Sequence, residues 1–80
     1  MENTETRILA IISEVLYGNF VYECVKLDDI LRAEHGAGSI DKVEIVMRAE
    51  KELCISIPDD KLEDFMSRKG TARDLINAVE

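Results

Sequence analysis

An all-α fold is predicted for this chain: a small four-helix bundle of three main helices and one short helix, with a long loop after helix 1. Three observations predict it. The stretches 4–17, 39–53 and 71 onward repeat apolar residues at the spacing of one helix face. Breakers fall between those stretches: Gly18-Asn19, Gly36 and Gly38, Pro58 and Gly70. The one stretch that could form a strand, 20–25, has no second strand to pair with.

Eighty residues fill a single domain, 1–80. A chain this short buries only about 60% of the surface its unfolded form exposes, which leaves little room for an enclosed active site. With 46% hydrophobic and 34% charged residues, its composition is that of a soluble globular protein. No apolar run approaches the roughly 18 residues of a membrane span. The polar, acidic start Met1-Glu2-Asn3-Thr4-Glu5 fits neither a signal nor a transit peptide, so a cytoplasmic location is expected.

The net charge is −7, from 17 acids against 10 bases. That balance disfavours nucleic acid and anionic membranes, and favours basic patches on protein partners. Cys24 and Cys54 form no CxxC, and His35 is the only histidine, so no metal site is expected. Both cysteines are expected to be free and buried, acting as small hydrophobes.

In chain order, Ile8, Ile11, Ile12, Val15 and Leu16 give the first helix an apolar face, with Glu5, Arg7, Ser13 and Glu14 opposite. Asn3 or Thr4 can cap its start, and Gly18-Asn19 its end. The connector 18–38 carries Phe20, Val21, Tyr22 and Val25 without a clear period. A structureless loop of that length is unusual, so these residues are expected to fold onto the core. A short helical turn at 28–34 would turn Leu27, Ile30 and Leu31 inward. A strand at 20–25 is the less favoured alternative.

The stretch 39–53 is the clearest helix, with Ile40, Val43, Val46, Met47 and Leu53 as its expected inner stripe. Asp41, Glu44, Arg48, Lys51 and Glu52 fall mostly outside it. Ser56-Ile57-Pro58-Asp59 then breaks the chain. A short helix to about Met66 would bury Leu62, Phe65 and Met66. Ser67-Arg68-Lys69-Gly70 reads as a basic turn. Thr71, with Asp74 three residues on, starts a last helix whose inner face is Ala72, Leu75, Ile76 and Val79.

One block is more specific than its pattern. Gly36-Ala37-Gly38-Ser39-Ile40-Asp41-Lys42-Val43-Glu44-Ile45-Val46-Met47 resembles the prosthetic-group site and second helix of acyl carrier proteins, which typically read Gly-x-Asp-Ser-Leu-Asp followed by Val-Glu-Leu-Val-Met. Glu50-Lys51-Glu52-Leu53 and Ile57-Pro58-Asp59 resemble the end of that helix and its Ile-Pro-Asp exit, at the same spacing. The match is close over 36–60, and one of pattern at both ends.

The resemblance implies that Ser39 carries a 4′-phosphopantetheine arm, derived from coenzyme A, whose thiol holds acyl groups as thioesters. A phosphodiester at a helix N-terminus faces free N–H groups and the positive dipole end. The chain is then a carrier for fatty-acid or polyketide-type specialised lipid biosynthesis, with no catalytic residues of its own. Its implied partners are a phosphopantetheinyl transferase (holo-acyl-carrier-protein synthase) and enzymes that load, elongate or transfer acyl groups. It is expected to work as a monomer. Gly38, Ile40, Asp41, Glu44, Ile45, Met47, Glu50 and Glu52 are the implied docking residues. Val46, Met47, Ile57, Leu62 and Phe65 are the implied acyl-chain cleft.

Each of these residues has a plainer role. A serine before a helix is ordinarily an N-cap. Attached to phosphate it cannot cap in that way, and would sit in the first turn with its oxygen outward. The acids can be a solvated face, and the cleft residues plain core. His35 has no nucleophile or acid partner at a fixed spacing, and reads as a loop residue beside the site.

The departures from the family point to a specialised carrier. Gly38 replaces the usual aspartate, and His35 a common leucine. Over 39–53 four acids (Asp41, Glu44, Glu50, Glu52) meet three bases (Lys42, Arg48, Lys51), a net of −1. Lys51 stands where a glutamate is frequent, and 67–70 looks like an insertion. Two other readings remain: an unmodified, carrier-like acidic protein-binding module, and an aminoacyl or peptidyl carrier.

Overall fold

Asn3 opens the first helix. Its side-chain oxygen accepts the Thr6 N–H at 2.8 Å, satisfying a donor that the helix itself leaves free. Helix α1 runs Thr4–Tyr17 and stops at Gly18, where φ is 75° and the N–H reaches the Glu14 carbonyl at 2.8 Å. The structure is a computed structural model that describes residues 3–18 and 25–79. Phe20, Val21, Tyr22 and Cys24, and all but the last residue of the strand weighed at 20–25, lie outside the described residues. Val25 is buried.

Four further helices follow: α2 (Leu31–His35), α3 (Ser39–Leu53), α4 (Glu63–Met66) and α5 (Ala72–Val79). A 3-10 turn, Asp59–Lys61, precedes α4. The turn expected at 28–34 starts three residues later, because Asp29 bonds the Lys26 N–H and Glu34 the Ile30 N–H before the helix begins. The single short helix expected up to Met66 divides at Leu62. The three long helices and their all-α arrangement stand as expected.

The core gathers Ile8, Ile11 and Ile12 of α1, Leu31 of α2, Ile45 and Ala49 of α3, Phe65 of α4 and Leu75 of α5, all essentially inaccessible. Each large side chain contributes about 1.5–3 kcal/mol by leaving water. α1 packs on both α3 and α5. The connector is tied to the α5 entrance: Leu31 N–H donates to the Gly70 carbonyl at 3.1 Å, and Arg73 N–H to that of Leu27 at 3.0 Å. Gly70 has to be glycine for space, since an added Cβ would lie 1.9 Å from the Phe65 carbonyl oxygen. The expected Thr71–Asp74 capping box forms, with bonds of 2.9 and 3.3 Å.

Three expectations fail. The inner stripe of α3 is Lys42, Ile45, Val46 and Ala49, while Ile40, Val43 and Met47 are exposed, Ile40 to 85%. The helix carries two apolar stripes, and α1 covers the one containing Ile45. Ser13, expected on the outer side, is fully buried, and its hydroxyl has no partner among the described residues. Cys54 is an exposed free thiol. It ends α3 in the left-handed region (φ 56°), which swings it out of the helix face.

Candidate functional site

The start of α3 is open to approach. Gly36 makes this possible: at φ 68° it ends α2, and its N–H is taken by the Arg32 carbonyl at 3.1 Å. Ala37 is then buried and Gly38 becomes the residue that caps α3. Half of a capping box is present, the Gly38 N–H donating to the Asp41 carboxylate at 3.2 Å. Glycine has no side chain to supply the other half. Lys42 makes the first helical bond, to the Gly38 carbonyl at 3.1 Å. The N–H groups of Ser39, Ile40 and Asp41 therefore have no acceptor among the described residues.

Ser39 is the first residue of α3 and is exposed. Its hydroxyl makes no hydrogen bond to the described residues, so it does not act as the cap. Beside it lies a hollow of about 190 Å³, whose wall includes Arg32, Lys42 and Arg68. Lys42 is buried to 2% exposure. Its ammonium donates to the Ser67 carbonyl at 2.6 Å and sits 5.7 Å from the Phe65 ring centre. Burial, and then the charge of Arg32, hold its pKa below the ordinary lysine value, with Asp74 opposing. Lys42 and its two arginine neighbours were not singled out from the sequence. The available signal was the spacing of Lys42 with Ile45, Val46 and Ala49.

Beyond Ser39 along α3, Ile40, Val43 and Met47 form an exposed apolar ridge with grooves on both sides. One, of about 430 Å³, is also flanked by Glu44, Arg48 and Lys51. The other, of about 340 Å³, lies between α3 and the segment that follows the Pro58 break; its floor is Val43, Val46, Met47, Leu62 and Met66. Of the expected cleft residues, Val46, Met47 and Leu62 line this groove. Ile57 and Phe65 are not among its lining residues, and Phe65 is wholly inaccessible.

The expected docking residues divide. Gly38, Ile40, Asp41, Glu44 and Met47 lie along the open side from the Ser39 end. Ile45 does not, since it has no exposed surface. Glu50 is engaged within the chain, accepting the Ile57 N–H at 2.8 Å and so shaping the exit of α3. Glu52 is exposed at the far end, where its carbonyl accepts from Arg7 at 2.8 Å. Arg48 bonds Glu14 of α1 at 2.9 Å and approaches Glu44 at 3.5 Å.

His35 is not a loop residue. It ends α2 with Nδ1 on the Tyr17 hydroxyl and Nε2 2.8 Å from Asp29. Asp29 is held below the usual carboxylate range by the Lys26 N–H first and by His35 second. This chain of bonds joins the end of α1 to α2 and to the connector before it. Among the described residues, no three His, Cys, Asp or Glu side chains converge as a metal site. No helix among the described residues is long and apolar enough to cross a membrane.

No family model matches the chain. Individual relatives do. It is 36% identical to acyl carrier protein 2 of Pseudomonas aeruginosa, in an alignment covering all of this chain and 94% of the relative. It is 34% identical to the acyl carrier protein of Zymomonas mobilis, covering all of this chain and 95% of that one. A third, from Treponema pallidum, is 34% identical over 81% of each chain. Identity at this level over all or most of the chain, joined to the helical bundle, makes this protein a member of the acyl carrier protein family.

Proposed function

We propose that the chain is an acyl carrier, not an enzyme, with a 4′-phosphopantetheine arm attached through a phosphodiester to Ser39. The observation that carries this reading is the exposed Ser39 hydroxyl at the first turn of α3, beside three N–H groups without acceptors among the described residues. Phosphate at a helix N-terminus meets donors that nothing else uses. The residues present therefore fit the group: an accessible oxygen, open amides and a hollow with cationic walls. When bound, the arm supplies a thiol that holds acyl groups as thioesters.

The chain's own residues then have separable tasks. Ser39 is the attachment oxygen. Ile40, Val43 and Met47 offer partners an apolar ridge, with Asp41 and Glu44 beside it to steer a basic patch. The groove floored by Val46, Met47 and Leu62 offers shelter to a bound acyl chain. The partners are a phosphopantetheinyl transferase and enzymes of fatty-acid or polyketide-type lipid synthesis. Incubation with coenzyme A and a transferase, followed by intact-mass analysis, tests attachment. Wild type gains one phosphopantetheine; Ser39→Ala gains none. An unmodified wild type, or a modified Ser39→Ala, contradicts the reading.

One observation favours a second reading. Gly38 leaves the place of the usual aspartate empty, and a Cβ there would meet nothing within 4 Å. The space for the aspartate exists but is unused, as in a module that binds partners without being modified. That reading expects protein purified from its own host to be unmodified. The loaded group would separate an acyl from an aminoacyl or peptidyl carrier.

A further inference from the structure

The chain carries 17 acids against 10 bases, yet the wall beside Ser39 is cationic. Arg32 of α2, Lys42 of α3 and Arg68 of the turn before α5 come together there from three separate elements. Among the described residues none of the three pairs with a carboxylate, whereas Arg48 and Arg73 both do. Asp41, the acid in this turn of α3, bonds the Gly38 N–H. Asp74 offsets part of the charge of Lys42, but Arg32 and Arg68 beside it lack a carboxylate partner among the described residues. Like charges gathered this way are unfavourable, and an anion between them relieves the repulsion. The hollow of about 190 Å³ opens on the same first turn of α3 whose N–H groups lack acceptors. Met66 lines both this hollow and the apolar groove of about 340 Å³, so the two are neighbours on the surface.

We infer that this hollow seats the phosphodiester at the root of the arm, with Arg32 and Arg68 donating to its charged oxygens. The inference rests on the attachment reading above. Holding the root against α2 and the 67–70 turn directs the rest of the arm past Met66 toward the apolar groove. Lys42 contributes charge from beneath while its ammonium stays on Ser67.

The test compares wild type with the double variant Arg32→Gln/Arg68→Gln, each unmodified and each loaded from coenzyme A by a transferase. Both arginines are exposed, so the variant keeps its core. Intact mass first establishes loading. At about 20 mM salt, loading raises the wild-type Tm by about 4–8 °C, and most of that gain disappears at about 500 mM salt. The double variant shows little gain at either salt, and its ³¹P resonance differs from that of loaded wild type. An equal Tm gain in both proteins, with an unchanged ³¹P resonance, overturns the seat while leaving attachment intact. If no arm is added to wild type, the attachment reading fails and the seat falls with it.

Discussion

The two faces of α3 are built from similar residues and meet opposite fates. Ile45, Val46 and Ala49 are buried against the rest of the bundle, while Ile40, Val43 and Met47 stand in solvent on another side of the same helix. The difference is not one of hydrophobicity, since the exposed stripe is as apolar as the buried one. It lies in what each face meets. α1 covers the first, and grooves flank the second. A ridge of large apolar side chains on the surface of so small a domain is what the proposed docking face requires. On the reading proposed above, stability and recognition are divided by rotation about one helix axis, and Ser39 lies at the end where the exposed side begins.

The sharpest way to break this division is to truncate each face in turn. Ile45→Ala should cost about 2–5 kcal/mol in chemical denaturation, because it opens a cavity among fully buried neighbours. Met47→Ala should stay within about 0.5 kcal/mol of wild type and instead slow transfer to partner enzymes. Similar losses at both positions would erase the distinction. Gly70→Ala probes the support of the buried side. Its methyl would collide with the Phe65 backbone, and a loss of about 1–3 kcal/mol in the same assay is expected.

Lys42 sharpens the comparison, because it is the charged member of the buried stripe. Burial lowers its pKa in the folded chain below the ordinary 10.5. The unfolded chain therefore binds more protons between the folded value and 10.5, and folding stability should rise with pH across that window. Lys42→Met, which keeps the stem over Phe65, should lack the rise when denaturation is repeated along an alkaline pH series. Ser13 offers a smaller effect. Its buried hydroxyl has no partner among the described residues, so Ser13→Ala should be neutral or stabilising by up to about 1 kcal/mol. Smallest of all, Gly38→Asp adds a side-chain cap in open space and should gain a few tenths of a kcal/mol. The same variant should load faster if the transferase reads that carboxylate, which loading kinetics would show.

Much of the fold was legible in the sequence because its signals are local. Asn3, Gly18 and the Thr71–Asp74 box mark helix ends through bonds three or four residues long. The rotation of α3 was not legible. Counting apolar residues favours Ile40, Val43 and Met47, whereas the buried stripe includes an alanine and a lysine, and only the position of α1 decides between them. Cys54 was misjudged for a related reason, since the left-handed end of α3 turns it outward. Ser39 was singled out by the resemblance to acyl carrier proteins, and the attachment there is the proposal made above. The cations around it were not, because Arg32, Lys42 and Arg68 are brought together by three elements far apart in the chain.

Attachment of the arm to Ser39, at the open end of α3, can be read on a single peptide. Cleavage after arginine and lysine releases residues 33–42, in which Ser39 is the only hydroxyl. Peptide mass analysis of the loaded protein therefore tests the claim directly. The phosphopantetheine mass is expected on that peptide alone. Loading found on a peptide carrying Ser13, Ser56 or Ser67, or a 33–42 peptide of unmodified mass, would contradict it.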